Sequence, residues 1–299
     1  MIFKYPQFVK VGIECRRGIE KIVRAFPPYS DFNLLSLLSW DVKGENLVSC
    51  LDGNLLVRFT DYLTGEPFYS FLGNVDIENT IDVLLERSVK EGLPRQLKLV
   101  PEMAVMELAV RDGNGWNVFE DSDNHDYLLN VDDLTELQGG RYKRKRQRVG
   151  KLKNCSTVEA REMDNANADD RALMIRLWET WAARKEDNIY NELELKAFLR
   201  MLDLAPHFDL VTVGLWDKDT LIGFAVNEVI HSGYYMGHFG KTAGHCDGLS
   251  DLLEHETARI MAARGCTLVN LQQDLGLPGL RAYKRSLRPS GFLRKFMIT

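Results

Sequence analysis

The sequence predicts an α+β (α/β) fold in two successive domains, each a mixed, mostly antiparallel sheet flanked by helices. Three observations carry that expectation. The chain has 299 residues, more than one compact core usually serves. Its 45% hydrophobic and 27% charged content is that of an ordinary globular protein, so both halves can bury a core. Helical and strand patterns mix along both halves, with a hairpin in the first and a meander of strands in the second. The boundary is placed at Gly139-Gly140, giving domains 1–138 and 139–299. No low-complexity linker lies there, so the domains are expected to share a fixed interface.

In the first half, Phe32 to Trp40 is a short amphipathic helix with Asp31 as its candidate cap. NLVSCLDGNLLVRFTD reads as two strands joined at Asp52-Gly53, a pair suited to a tight hairpin. Asn79 to Glu91 places Ile81, Val83, Leu84, Leu85 and Val89 at helical spacing. QLKLVPE is a strand, AVMELAV a helix or a strand, and HDYLLNVDDLTEL leads to the two glycines. In the second half, Ala168 to Glu186 and Asn191 to Leu204 are helices. A meander follows: FDLVTVGLWD, a Lys218-Asp219 turn, TLIGFAVNEVI, a Ser232-Gly233 turn, and YYMGHFGK. Helix Leu249 to Arg264, the strand TLVNLQQD and a helix opening at Pro278 complete the chain.

Charge is unevenly placed. Arg141 to Lys153 holds eight Lys or Arg and no carboxylate; removing this +8 from the net charge of -5 leaves -13 elsewhere. Such a field selects anionic partners rather than a fold. Tyr142, Val149 and Leu152 recur at helical spacing, so the block is a helix with an apolar seam. Arg146 falls on the Tyr142/Val149 side and is expected to point inward, where a carboxylate or bound anion must offset its desolvation. Lys143, Arg144, Arg148 and Lys151 spread over the other faces and are candidates for steering an anion or tRNA. A solvated basic helix is the alternative.

The N-terminus lacks a basic segment followed by an apolar one, and no run of about 20 apolar residues occurs, so neither a signal peptide nor a membrane span is expected. Five scattered cysteines without a CxxC suit reduced thiols and a cytoplasmic location.

The last stretch, NLQQDLGLPGLRAYKRSLRP, resembles the signature N-R-E-x-D-L-G-I-x-G-L-R-x-x-K-x-S-Y-x-P of the phosphatidylglycerol lysyltransferase C-terminal-domain family. Asn270, Asp274, Leu275, Gly276, Gly279, Leu280, Arg281, Lys284, Ser286 and Pro289 match. GGRYKRKRQR resembles the family's G-K-K-Y-H-K-K-R-N-H, and GHFGK at 237–241 resembles V-H-F-E-K, matching His238, Phe239 and Lys241. Glu228 and the HDY of His125 to Tyr127 also have counterparts. The resemblance runs from His125 to the C-terminus and more loosely back to Trp40. Among the departures, Gln272 stands for the Glu of R-E and Gly240 for the Glu of H-F-E-K.

This resemblance implies tandem GNAT-like acyltransferase domains, related to enzymes that take amino acids from aminoacyl-tRNA to lipids or cell-wall peptides. In the lipid enzymes the unit follows a membrane-spanning region, and an anionic lipid headgroup is a candidate partner. A tRNA ester is already activated, so the expected reaction needs no metal and no cofactor; it needs positioning, proton removal and oxyanion stabilisation. His238 is the candidate general base, its alternative being a core histidine bonded to backbone. Asp274 is a second catalytic candidate, to orient Arg281 or bind a substrate amine; its alternative is to cap the 278–286 helix or pair with Arg146. Glu228 either accepts a proton or pairs with Lys241. Arg146, Lys241, Arg281 and Lys284 are the substrate-binding candidates, with Arg281 and Lys284 expected on one helix face.

Coenzyme A is disfavoured, since GKTAGHCDGLSD lacks the R/Q-x-x-G-x-G/A spacing that cradles a pyrophosphate. His245, Cys246, Asp247, His238 and His255 fit no standard zinc pattern. Trp178, Trp181 and Tyr190 either line an acyl pocket or pack the core, and at most one of Tyr234 and Tyr235 faces a site. The alternative functions are an acyl-CoA-dependent N-acyltransferase and a non-catalytic module binding RNA or anionic lipid.

Overall fold

In the computed structural model, which describes residues 4–106, 115–155, 157–184, 189–231, 233–244 and 247–299, the strand periods assemble two seven-stranded sheets. The first half contributes β1 (Val9–Lys10), α1 (Arg16–Val23), α2 (Leu34–Ser39), β2 (Leu47–Leu51), β3 (Asn54–Thr60), β4 (Pro67–Leu72), α3 (Ile77–Lys90), β5 (Leu97–Pro101), α4 (Glu102–Met106), β6 (Val118–Glu120), β7 (Asp126–Asn130) and α5 (Val131–Glu136). The second contributes α6 (Lys143–Cys155), β8 (Val158–Met163), α7 (Ala168–Ala182), α8 (Ile189–Leu204), β9 (Leu210–Asp217), β10 (Thr220–His231), β11 (Tyr234–Thr242), α9 (Leu249–Ala263), β12 (Leu268–Asn270), α10 (Pro278–Ser286), β13 (Gly291–Leu293) and β14 (Lys295–Ile298).

The first sheet runs β1-β2-β3-β4-β5-β14-β6 and the second β13-β7-β12-β11-β10-β9-β8. Each has one parallel pair, β4–β5 and β11–β12, among antiparallel neighbours. Sequence position 139 does not separate the sheets. β7 lies before it yet pairs with β12 and β13, while the terminal β14 pairs with β5 and β6. Periodicity marks a strand without saying which edge it completes, so this exchange is legible only in three dimensions.

Local chemistry accounts for the turns. Asp52 and Gly53 both take positive φ (51° and 96°), the type I′ geometry that matches the twist of β2 and β3. The cap of α2 is Asn33, whose side chain accepts from Ser36 N at 2.8 Å, and not Asp31. Asp31 is drawn instead into a buried cluster. There Lys295, with a fully buried side chain, ion-pairs with Asp31 and with Asp126 at 2.7 Å. Ser30 donates to Asp126, and Gln273 donates to Asp31 and accepts from Lys295. These groups come from both halves of the sequence, so the cluster ties the two sheets together. A buried cation held by carboxylates is costly to break by removing one partner.

Apolar packing covers both faces of each sheet. Phe32, Val57 and Phe59 fill one side of the first, and Leu56, Tyr69, Ile81 and Leu84 the other. In the second, Trp178, Phe198 and Phe224 pack on one face, Tyr127, Val213, Tyr235 and Met261 on the other. α2 lies against α8, where Arg200 Nε donates to Leu38 O at 3.1 Å. Among the described residues no helix is long and apolar enough to cross a membrane.

Candidate functional site

β11 and β12 pair in parallel only from Tyr234/Leu268 to Met236/Asn270. β12 then stops, and Gln272, Leu275 and Gly276 turn the chain away with φ of 58°, 55° and 72°. The continuation of β11, from Gly237 to Thr242, therefore keeps an open edge on that side. Opposite it stands the start of α10. Between them lies a cleft of about 850 Å³, bordered by α9 and reached from the first domain by Trp40 and Tyr62.

His238 lies on this edge, and its ring is fully engaged. Gln272 Nε2 donates to Gly237 O (3.1 Å) and approaches His238 Nδ1 at 3.0 Å. A carbonyl only accepts, so the amide nitrogen faces this way and its second hydrogen meets Nδ1 as an acceptor. The imidazole proton is then on Nε2, donated to Glu228 at 3.1 Å. Glu228 also accepts from Asn33 Nδ2 at 2.8 Å. With a side chain only 1% exposed, His238 has no ring nitrogen left for a substrate proton. Glu228 bonds to His238 and Asn33, and Lys241 pairs elsewhere.

Lys241 donates to Glu194 at 2.8 Å and sits 3.8 Å from the Trp181 ring centre, so it borders the cleft as a locked cation. Lys284 enters from α10 and donates to Gln273 O at 2.6 Å. Burial pulls its ammonium down to about 8, against the pull of Asp126, Asp274 and Glu254.

Asp274 and Arg281 are joined to each other. Arg281 Nε and one terminal nitrogen reach the two carboxylate oxygens of Asp274 at 2.9 and 2.7 Å. Tyr127 and Gly276 N–H add bonds to Asp274, and Asp123 takes a further bond from Arg281. Burial pushes the Asp274 carboxyl up, but bonds from Arg281, Tyr127 and Gly276 outweigh it and hold the group low. This bidentate pair fastens α10 to the turn after β12. Although three residues apart, Arg281 and Lys284 do not converge: one serves the fork, the other the cleft.

The basic helix corrects the expectation for Arg146. Arg146 is exposed and donates to Leu137 O, closing the end of α5. The inward cation is Lys145, 8% exposed and ion-paired with Asp251 of α9. On a helical wheel Lys145 falls about 60° from Tyr142 on the side of Leu152, within the seam, whereas Arg146 falls on its opposite margin. Arg148 is also engaged internally, with Asp247 at 3.0 Å and Asp251 at 3.3 Å. Lys143, Arg144 and Lys151 remain exposed, with no ion pair among the described residues.

Glu254 went unnoticed in the sequence. It projects from α9 into the cleft near Lys284, Lys145 and Asp251. Burial raises its carboxyl to about 7, with Lys145 and Lys284 pulling it down and Asp251 pushing it up. No hydrogen bond to it forms among the described residues. The signal was present: Ser250, Glu254, Thr257 and Met261 share one stripe of α9, and Thr257 and Met261 are buried. Trp178 belongs to the core, as do Tyr234 and Tyr235, while Trp181 borders the cleft. His245, Cys246 and the side chain of Tyr190 lie outside the described residues, among which no group of three or more His, Cys, Asp or Glu is placed to hold a metal.

Comparison with known proteins follows this geometry. Residues 64–299 match the family model described as phosphatidylglycerol lysyltransferase, C-terminal. The fold is similar to that of a conserved protein of unknown function from Bacteroides thetaiotaomicron, with TM-score 0.83 and 21% identity over 100% of this chain and 99% of that one. It is also similar to L-PGS from Bacillus licheniformis, with TM-score 0.63 and 13% identity over 100% and 93%. A tandem GNAT protein from the clavulanic acid biosynthesis pathway aligns with TM-score 0.52 and 11% identity over 98% of each chain. The two sheets are thus tandem GNAT-like units. No curated protein matches the chain by sequence.

Proposed function

The chain belongs to the phosphatidylglycerol lysyltransferase C-terminal family, and we propose on that basis that its cleft transfers an aminoacyl group from a charged tRNA to a hydroxyl or amine acceptor such as a lipid headgroup. The observation that carries this reading is the cleft beside the open edge of β11, where the family's Lys284 is buried with an ammonium held at about 8. Such a group is cationic over much of the neutral range. It is itself buried at the wall of the cleft, where positive charge stabilises a tetrahedral oxyanion. The donor ester is activated already, so this reaction calls for no cofactor. Lys143, Arg144 and Lys151, exposed and without ion pairs among the described residues, are suited to a polyanionic donor. Asp274 and Arg281 serve by holding α10 in place, and His238 and Glu228 by fixing the open edge.

The test is transfer itself. Total tRNA charged with radiolabelled amino acids is mixed with the protein and phosphatidylglycerol vesicles, with acetyl-CoA and an amine acceptor in parallel. Label moving from tRNA into the lipid phase is the expected result. Consumption of acetyl-CoA with every charged tRNA left intact would replace this reading with a coenzyme A-dependent one.

A further inference from the structure

We propose that Glu254 is the general base of the cleft, taking the proton of the acceptor as it attacks the donor ester. The assignment rests on the transfer reading above and adds the identity of the proton acceptor. Two geometric facts single Glu254 out. The histidine expected in that role has both ring nitrogens bonded within the protein, to Glu228 and Gln272. The other carboxylates of the second domain near the cleft are also held: Glu228 by Asn33 and His238, Glu194 through one oxygen by Lys241, Asp251 by Lys145 and Arg148. Glu254 borders the cleft, free of hydrogen bonds among the described residues, with Lys284 on the neighbouring helix.

The step balances within the cleft. The acceptor O–H proton moves to the Glu254 carboxylate as the acceptor oxygen bonds to the ester carbonyl carbon. The carbonyl oxygen becomes an oxyanion, beside the Lys284 ammonium. Collapse breaks the bond from that carbon to the ribose oxygen of the donor, and Glu254 returns its proton to that oxygen. The carboxylate is regenerated and no other reactant is required. An acid near neutrality suits both halves of the cycle, and the raised carboxyl of Glu254 meets that condition. Burial raises it most, Lys145 from α6 and Lys284 from α10 pull it down, and Asp251 from its own helix pushes it up, while Tyr283 of α10 and Tyr235 of β11 also face it.

The experiment compares wild type, Glu254→Gln and Glu256→Gln under single turnover with charged tRNA and phosphatidylglycerol vesicles between pH 5.5 and 9. Glu256, on the same helix, pairs with Lys153 and Arg259 away from the cleft. Glu254→Gln is expected to slow transfer by about 100-fold or more. It should bind charged tRNA as wild type does and lose the rise in rate through neutral pH. Glu256→Gln keeps both. In difference infrared spectra, wild type against Glu254→Gln, a protonated carboxyl band should disappear with a midpoint of about 7. A Glu254→Gln protein that transfers within threefold (roughly) of wild type with the same pH profile overturns the assignment alone. Absence of the infrared band also overturns it. A wild-type protein inert toward every charged tRNA overturns the transfer reading, and the assignment with it.

Discussion

Lys284→Met isolates the cost of holding an ammonium in the cleft. In the folded protein burial lowers the lysine from 10.5 to about 8. The folded state therefore binds fewer protons than the unfolded chain between those values, and stability rises with pH across that window. Below about 8 the penalty is fully present and constant. At about 1.4 kcal/mol for each pH unit, the window corresponds to roughly 3 kcal/mol. Methionine has similar length and no charge, so the variant lacks this pH dependence. It also loses the 2.6 Å bond to Gln273 O, an offset of about 1–3 kcal/mol that does not change with pH across the window. The assay is urea unfolding of both proteins at several values from pH 8 to 10.5. The wild type should gain on the variant by roughly 3 kcal/mol over that range, whatever the offset at pH 8. Stability curves that run parallel would show that Lys284 titrates normally, and its ammonium would carry no burial penalty in the cleft wall.

Two further outcomes follow from buried charge. Lys295→Met leaves Asp31 and Asp126 facing each other without their cation, and should cost about 3–5 kcal/mol at neutral pH. Burial already raises the Asp31 carboxyl, so its protonated form is favoured in the fold and the deficit should shrink as pH falls; melting temperatures at pH 5 and 7 check both. Lys145→Ala uncovers the buried Asp251 and should lower stability by about 2–4 kcal/mol, while Arg146→Ala, at an exposed position, should stay within about 1 kcal/mol. Equal losses in chemical unfolding would restore the inward arginine.

Much of this molecule is readable from local pattern. The meander from Leu210 to Thr242 follows from strand-length apolar runs broken at Lys218-Asp219 and before Gly233, and the structure pairs it in that order. The Asp52-Gly53 hairpin follows from two residues that tolerate positive φ. The motif around Asp274 and Lys284 led to the cleft, although Asp274 and Arg281 bind each other rather than line it. The basic helix is legible as a helix, but its inward cation is Lys145 rather than Arg146, because the seam runs from Tyr142 through Val149 to Leu152.

What the sequence by itself determined is the alternation of elements, the two-sheet α+β class, the family pattern and several residues that border the cleft. Those depend on periodicity, turn chemistry and motif spacing, all short-range along the chain. Only the tertiary structure decided that β7 and β14 exchange sheets, that His238 is satisfied on both nitrogens, and that Glu254 borders the cleft near Lys284 without a hydrogen bond among the described residues. Hydrogen-bond satisfaction and desolvation belong to groups brought together from distant parts of the chain. His238 is occupied by Gln272 and Glu228, and Glu254 is perturbed by Lys145 and Lys284. Whether a side chain is free to act is thus set by partners that no local window contains.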